Sequence, residues 1–219
     1  SLGVCTTSGP GFALKQEMIN LAVMTELPLV IIDVQRAGPS TGMPTKTEQG
    51  DLLQALWGRN GESPVPVIAA QSPADCFDAA IEASRIAVTR RTPVVLLSDA
   101  YLANGSEPWL IPQITDLQPI DPGFANTPDD GEVFEPYRRD PLTLNRPWAI
   151  PGTPGLEHRL GGLEKQDGVG NISYDPENHP KTLRLTAERL ARVPLPDAMS
   201  DAPGHAAGAV VVRWGASGG

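Results

Sequence analysis

Residues 29–51 read LVIIDVQRAGPSTGMPTKTEQGD and carry the strongest signal for fold and site in this chain. The run begins with four apolar residues, which predict a buried strand that ends at Asp33. The loop after this strand contains glycine, proline, several hydroxyl side chains and an arginine. In open α/β sheets, ligands bind outside the carboxyl ends of the strands. The stretch therefore predicts a parallel α/β fold with a ligand site in this loop.

Three side chains of the loop are candidate ligand-binding groups. Arg36 presents a planar guanidinium that matches a carboxylate or a phosphate, and Thr41 and Thr45 present short hydroxyls. Gly38 and Gly42 allow the backbone to approach a ligand closely. The alternative is that Arg36 is an ordinary surface or interface residue just past the end of a strand.

The chain around this loop alternates between strand and helix patterns. Apolar runs predict strands at residues 4–7, 28–33, 64–70 and 93–98. The spacing of apolar residues predicts helices at residues 12–24, 50–58, 73–90 and 182–193. Strands that alternate with helices indicate βαβ units, and hence an α/β fold with a mostly parallel sheet and helices on both faces.

A Ser-Gly-Pro-Gly turn follows the first predicted strand. Ser8 and Gly9 open this turn, and a helix begins directly after it. The first N–H groups of a helix have no partner within the helix, so they suit an anion or the polar edge of a ring. The alternative is a tight strand-to-helix turn that binds nothing.

The acidic residues near the strand ends are predicted to have structural roles. Asp33 and Asp99 each end a strand and are expected to cap the following turn rather than to act as acids or bases. Lys46, Glu48 and Asp51 are expected to form the solvated start of a helix, where acidic side chains favour the positive end of the helix dipole.

Composition excludes several classes of partner. The net charge of −9 argues against nucleic acid and against an anionic membrane, because both require clustered Lys and Arg. No apolar run reaches the roughly 20 residues that span a bilayer. Cys5 and Cys76 lie in apolar surroundings and are predicted to be reduced thiols in the core. These features predict a cytoplasmic protein.

Metal-binding patterns are lacking in the sequence. Two distant cysteines cannot supply the four ligands of an iron–sulfur cluster, and the three histidines stand apart without metal-ligand spacing. His158 is a candidate for a site or interface role, and the preferred interpretation is an ordinary residue of a surface loop. The sequence predicts no metal site on this chain.

Most of the sequence closely resembles the α subunit of 2-oxoacid:ferredoxin oxidoreductases. The resemblance is carried by TTSGPGFALKQEMINLAVMTELPLVIIDV at residues 6–34, QRAGPSTGMPTKTEQGDL at residues 35–52, IPGTPGLEHRLGGLE at residues 150–164 and NISYDPENHPK at residues 171–181. The later stretches are most similar to the 2-oxoglutarate type. The resemblance implies a fold of the kind that binds the pyrimidine ring of thiamine diphosphate.

The resemblance also implies a division of the chain. Residues 1–104 would form a pyrimidine-binding α/β domain whose first part precedes Ser1. Residues 105–207 would form an extended strap, rich in Pro and Gly, with a short helix and a linker. Its scattered aromatic residues predict that the strap is ordered and lies across this domain or a partner subunit. Residues 208–219 would be the first strand of a truncated domain similar to the transketolase C-terminal domain, within a longer polypeptide.

In enzymes of the family, thiamine diphosphate lies between the α subunit and a β subunit. The β subunit holds the diphosphate, Mg²⁺ and the iron–sulfur cluster, which agrees with the lack of a Gly-Asp-Gly motif followed at a distance by Asn in this chain. The implied activity is oxidative decarboxylation of a 2-oxoacid to acyl-CoA and CO₂, with reduction of ferredoxin. The protein supplies position and electrostatic field, and the coenzyme supplies the difficult chemistry.

The resemblance assigns roles to residues of the chain. It implies that Arg36 binds a substrate carboxylate and that Thr41 and Thr45 line the same pocket. The unpaired N–H groups of the turn at Ser8 and Gly9 make these two residues the candidates for contact with the cofactor. A Tyr-Pro-Ile-Thr-Pro loop and a catalytic glutamate of the family do not occur here and are expected upstream of residue 1. The fragment alone is therefore expected to be inactive. Alternatives are a substrate such as pyruvate or a branched 2-oxoacid, and a non-catalytic assembly subunit.

Overall fold

The computed structural model of the chain describes residues 1–125 and 133–194. The strands are β1 Gly3–Thr7, β2 Leu29–Gln35, β3 Val67–Ala69, β4 Pro93–Asp99, β5 Phe124–Ala125 and β6 Trp148–Ala149. The helices are α1 Gly9–Leu14, α2 Gln16–Thr25, α3 Leu52–Trp57, α4 Asp75–Arg90, α5 Ala100–Asn104 and α6 Asn178–Ala191, with a 3₁₀ turn at Ile114–Asp116.

The first four strands form one parallel sheet in the order β1, β2, β4, β3. Asp33 of β2 is in register with Thr7 of β1 on one side and with Leu97 of β4 on the other. Because the strands are parallel, the loops that follow all four of them leave the same edge of the sheet. The predicted α/β fold with a mostly parallel sheet is confirmed.

Apolar side chains cover both faces of this sheet, because successive residues of a strand point to opposite sides. On one face, Ile31 packs with Phe12 of α1, Ile19 of α2 and Ala55 of α3. On the other face, Val30 packs with residues of α4, α5 and the end of α6. The predicted helices on both faces are therefore confirmed.

Several boundaries differ from the sequence prediction. The helix predicted at residues 12–24 is two helices, α1 and α2, separated at Lys15 with φ −96° and ψ 1°. The last predicted helix begins at Asn178 rather than at residue 182. The strand predicted at residues 208–219 lies outside the described residues, as does nearly all of the linker before it. The domain boundaries at residues 104 and 207 stay predictions.

Neither cysteine lies in the core, so that part of the prediction was wrong. Both thiols are free and half-buried. Cys76 packs against the core on the α4 side of the sheet. Cys5 instead lines a groove beside the edge strand β1, where it has one neighbouring strand rather than two.

The segments between α5 and α6 contain little regular structure and are anchored by aromatic side chains. Trp109 packs on Phe77 of α4, with ring centroids 5.2 Å apart. Trp148 packs on Phe124, with ring centroids 5.0 Å apart. Each ring pair adds attraction beyond the area it buries, so these contacts hold the segments in place without a sheet or helix.

A buried group of charges, the Glu26 cluster, joins the end of α2 to the later part of the chain. Its members are Glu26, Arg139, Arg146 and Arg189. Glu26 is 5% exposed, and its carboxylate accepts hydrogen bonds from Arg139 and Arg189. Arg146 is 1% exposed and donates to the carbonyl oxygen of Thr25 at 3.3 Å. The cluster attaches α6 and the segment before it to the sheet domain.

Candidate functional site

Two segments predicted to bind ligands meet at the carboxyl edge of the sheet. Ser8 and Gly9 follow β1, and Arg36 follows β2, its neighbour in the sheet. A Cβ atom on Gly9 would stand only 2.7 Å from Oδ2 of Asp51, so the α1 turn contacts the residue at which α3 begins. The common location follows from the topology, and the roles of these residues stay predictions.

The site loop, residues 36–50, is closed by its own hydrogen bonds. The N–H of Ala37 donates to the carbonyl oxygen of Lys46 at 2.9 Å. The N–H of Gly38 donates to Oε2 of Glu48 at 2.7 Å. Glu48 is solvated as predicted, but it lies before the start of α3 and braces the loop. These bonds give the loop a defined shape although most of it is exposed.

The two predicted threonines of the site loop are both exposed. Gly42, next to Thr41, has a positive φ of 48°, and a Cβ atom on it would stand 1.7 Å from the carbonyl oxygen of Ala37. Thr45 also has a positive φ, of 58°. The hydroxyls of Thr41 and Thr45 are therefore held on a tightly turned backbone and are accessible to a ligand.

Arg36 lies at the foot of the site loop and is half-buried. Its Nε is buried and has no hydrogen-bond acceptor in the part of the chain that the structure describes. A buried donor without an acceptor is costly, and an anionic ligand would supply one. Nε of Arg91, Arg139, Arg146 and Arg189 also lacks an acceptor among the described residues, so the position of Arg36 after β2, at the carboxyl edge of the sheet, is what distinguishes it.

Asp33 and Asp51 form a pair of carboxyl groups beneath the site loop. The cap predicted for Asp33 was wrong, whereas Asp51 stands at the start of α3 as predicted but is not fully solvated. Asp33 is 0% exposed and caps no turn, because neither of its oxygens accepts a hydrogen bond from a donor among the described residues. Burial, followed by the neighbouring Asp51 carboxyl, raises the pKa of Asp33 to about 7. Asp51 is half-buried rather than solvated, and burial likewise raises its pKa.

The predicted role of Asp99 as a cap of the turn after its strand is confirmed. Its Oδ1 accepts hydrogen bonds from the N–H groups of Tyr101 at 2.9 Å and Leu102 at 3.0 Å, which starts α5. Its Oδ2 accepts from Nε2 of Gln49 at 2.9 Å. Asp99 thus ties the end of the site loop to β4, a contact that the sequence prediction missed.

A cleft of about 750 Å³ opens at the same edge of the sheet. Its polar lining comes from the site loop, the turn after β3 and the segment after α5: Thr47, Glu48, Gln49, Gln71, Ser72, Tyr101, Ser106 and Glu107. Ser72 donates to Glu107 at 2.5 Å, and this bond, with one from the N–H of Ala74, holds the pKa of Glu107 below its usual value. The sequence offered one signal, a polar turn directly after a strand.

His158 lies away from the site loop. It is half-buried beside the ring of Phe134, and its Nδ1 lies 2.8 Å from the carbonyl oxygen of Leu156. It lines an apolar groove of about 1120 Å³ next to the amino-terminal half of β1, whereas the site loop leaves the carboxyl edge. His158 thus lies in a loop and is partly exposed, and its role stays a prediction.

The described ranges, 1–125 and 133–194, contain no group of three or more His, Cys, Asp or Glu side chains that could hold a metal ion. Within the same ranges, no helix is long and apolar enough to cross a membrane. The side chains that could bind a ligand at the carboxyl edge of the sheet are an arginine, hydroxyls, amides and carboxyl groups.

The fold and this edge define a parallel α/β domain of the ligand-binding class, with its candidate site in the loops after the strands. The family model described as pyruvate flavodoxin/ferredoxin oxidoreductase, thiamine diphosphate-binding, matches residues 1–174. The chain belongs to this family. The resemblance seen in the sequence is thereby confirmed.

Two proteins similar to this chain are named as subunits of 2-oxoglutarate enzymes. The 2-oxoglutarate oxidoreductase subunit KorA of Mycobacterium tuberculosis is 59% identical over 99% of this chain and 33% of its own length. The 2-oxoglutarate synthase subunit KorA of Methanothermobacter marburgensis is 44% identical over 86% of this chain and 48% of its own length. This chain thus spans about a third to a half of these relatives.

A solved structure is similar as well. The 2-oxoglutarate:ferredoxin oxidoreductase from Magnetococcus marinus, with 2-oxoglutarate, coenzyme A and succinyl-CoA bound, superposes with a TM-score of 0.79 and 34% identity. The match covers 88% of this chain and 33% of that one. The α/β architecture of the described residues is therefore that of this enzyme.

Proposed function

We propose that the chain is part of the α subunit of a 2-oxoglutarate:ferredoxin oxidoreductase. The reaction is oxidative decarboxylation of 2-oxoglutarate to succinyl-CoA and CO₂, with ferredoxin as electron acceptor. Membership of the family and the names of the similar proteins support this class of reaction. The observation that carries the proposal is the family match over residues 1–174. Arg36, at the edge of the sheet where ligands bind, is the residue proposed to meet the substrate.

Arg36 is the proposed carboxylate-binding residue. A guanidinium can grip a carboxylate through two parallel hydrogen bonds, which fixes the orientation of the substrate as well as its charge. Thr41 and Thr45 are exposed on the same loop and are proposed to line the pocket. The hydrogen bonds that close the site loop give a defined shape to the backbone that carries these three side chains.

We propose that this chain contacts the ring end of thiamine diphosphate and that another subunit holds its diphosphate end. The described residues offer no carboxylate set for Mg²⁺, so the diphosphate, Mg²⁺ and the iron–sulfur cluster are proposed to lie on a β subunit. Ser8 and Gly9 are proposed to face the ring side of the cofactor, at the edge shared with the site loop. When bound, thiamine diphosphate supplies the electron sink for decarboxylation.

Replacing Arg36 by glutamine tests the proposal. In the full-length subunit with its partner, Arg36→Gln is expected to lower kcat/KM for 2-oxoglutarate by about 10- to 100-fold, the loss of a charge-assisted hydrogen bond. The measurement is ferredoxin or viologen reduction against substrate concentration. Arg85→Gln on α4 is the matched control. Arg85 forms a half-buried ion pair with Glu82, one turn away on the same helix, so its replacement should leave kcat/KM unchanged.

Pyruvate separates the possible substrates, because it has one carboxylate and 2-oxoglutarate has two. A loss far larger for 2-oxoglutarate than for pyruvate would place Arg36 on the second carboxylate. An equal loss for both would reject that placement and favour a general 2-oxoacid enzyme. Unchanged kcat/KM for both would remove Arg36 from substrate binding.

The β subunit is proposed to cover the carboxyl edge of the sheet, with coenzyme A and ferredoxin reached through the complex in the cytoplasm. Met43 of the site loop is 58% exposed and Trp57 of α3 is 78% exposed. Large apolar side chains exposed beside a site favour a protein interface. This observation also supports the second candidate, an assembly subunit, for which Arg36→Gln would weaken association with the partner and leave KM unchanged.

A further inference from the structure

We propose that Asp33 and Asp51 share one proton and thereby hold the foot of the site loop on strand β2. The two acids are positioning residues: they lie beneath the loop and set where it stands. The inference concerns the conformation of the loop and holds whatever ligand the loop binds. Its consequence for substrate affinity rests on the function proposed above.

The position of Asp33 requires a neutral form or a proton-sharing partner. Alternation along β2 places its side chain on the same face as Ile31, which packs beneath α1 and α3. The residue is 0% exposed, and no donor among the described residues reaches either oxygen. An ionised carboxylate without a compensating partner is strongly disfavoured in such a place.

Asp51 supplies the partner. It stands at the start of α3, which packs over the same face of the sheet, and its Oδ2 is also buried without a donor from another group. The two carboxyl groups lie close enough for each to shift the pKa of the other, and the buried oxygens of both lack another donor among the described residues. A hydrogen bond between two carboxyl groups requires that one of them carries a proton. Two close carboxyl groups hold one proton between them because both cannot ionise cheaply.

Among the described residues, no positively charged side chain acts on the pair to offset its negative charge. Thr7 and Leu97 flank Asp33 in the sheet and carry no charge, and Gly9 of α1 lies against the Asp51 carboxyl. The charged neighbour that acts on the pair is Glu48 of the site loop, which raises the pKa of Asp51 further. The shared proton is therefore what keeps the pair together.

The pair controls the site loop because Asp51 closes it. The N–H of Asp51 donates to Oε1 of Gln35 at 3.1 Å, and Nε2 of Gln35 donates to the carbonyl oxygen of Ser98 at 3.1 Å. Gln35 is 1% exposed. Asp51 is thus attached to β2 through both its main chain and its side chain. Loss of the shared proton breaks the side-chain attachment by repulsion.

The sign of the pH effect follows from the raised pKa of Asp33, which burial and Asp51 bring to about 7. The closed loop holds a proton that the opened loop releases, because an exposed aspartate has an ordinary pKa near 4. Opening therefore becomes easier as pH rises from about 4 to about 7, by up to about tenfold per pH unit, and levels off above that.

Hydrogen exchange of the full-length subunit in its complex tests whether the shared proton holds the site loop closed. Peptides covering residues 37–51 should lose protection by on the order of tenfold between pH 5.5 and 7.5, after correction for intrinsic exchange. Peptides of β4 serve as the internal reference and should not change. Protection of residues 37–51 that stays constant across this range would overturn the proposal.

Asp51→Asn is the decisive variant, because its amide can donate to Asp33 at every pH and cannot repel it. Protection in this variant should be nearly independent of pH, and a wild-type pH response there would overturn the proposal. The same result is expected for Asp33→Asn, which serves as the test if Asp51→Asn does not fold. The KM for 2-oxoglutarate should follow loop opening in the wild type. If hydrogen exchange changes with pH as expected but KM does not, the proton-sharing pair is supported and the function proposed for the loop is wrong.

Discussion

Glu26→Gln is expected to lower the free energy of unfolding by about 3–5 kcal/mol, the cost of removing one partner of a buried ion pair. The glutamine keeps the volume of the side chain but removes the charge that Arg139 and Arg189 share. Arg189 is 1% exposed and would then be a buried cation without a counter-charge. The contact between α6 and the end of α2 is expected to weaken first.

Urea unfolding followed by tryptophan fluorescence measures this effect. Trp148 is a suitable probe because it is 8% exposed and its ring lies 5.8 Å from the guanidinium carbon of Arg91, close to the cluster. Glu82→Gln is the matched control, since Glu82 pairs with Arg85 in a partly solvent-exposed contact within α4 and should change stability by about 1 kcal/mol or less. Equal destabilisation by both substitutions would show that the Glu26 cluster contributes no more than a surface pair.

The same cluster predicts a loss of stability in acid. Burial alone would raise the pKa of Glu26, but the charges of Arg189 and Arg139 outweigh it and hold the pKa below its usual 4.5. The ionised form therefore stabilises the fold fully above about pH 4.5, and this contribution is lost as pH falls through the lowered pKa. Glu26→Gln should show a shallower fall of stability below pH 4.5 than the wild type. If the free energy of unfolding of Glu26→Gln falls below pH 4.5 as steeply as that of the wild type, Glu26 is not the group responsible for the loss of stability in acid.

The sheet was predictable because its strands are continuous apolar runs, which mark strands covered on both faces. The site loop was predictable for the same reason, since Arg36 and the threonines directly follow such a run. The break at Lys15 was not, because the apolar spacing continues across it. The start of α6 at Asn178 was missed because its first turn is polar and packs on Glu164 and Lys165 through hydrogen bonds.

The acid pair and the Glu26 cluster were invisible in the sequence for a different reason. Asp33 and Asp51 are separated by the whole site loop, and only the folded register places one carboxyl group beside the other. Glu26 and Arg189 lie in different helical regions, 163 positions apart in the chain. A polar residue at a strand end or helix end has the same pattern whether it caps a turn, faces water or meets a distant charge. Burial decides between these outcomes, and a single sequence does not report it for polar residues.

Gly42→Ala is expected to distort the site loop and to reduce kcat/KM of the assembled enzyme by about 100-fold, the loss associated with a misplacement of roughly 1 Å at a site. The added Cβ would stand 1.7 Å from the carbonyl oxygen of Ala37 and 2.9 Å from the Cα of Gly38, so the backbone must shift. Both contacts lie beside Arg36. The measurement is the rate with 2-oxoglutarate, together with hydrogen exchange of residues 37–46.

Gly61→Ala separates this steric effect from backbone strain. Gly61 also has a positive φ, of 67°, but a Cβ atom on it would meet nothing within 4 Å. Its substitution should cost about 1 kcal/mol of stability from the left-handed conformation alone and leave the rate unchanged. Gly42→Ala carries the same strain and the collision with Ala37, so its excess effect measures the collision. If both variants keep the wild-type rate, the shape of the site loop is not what positions Arg36, and the pocket must be built from other residues.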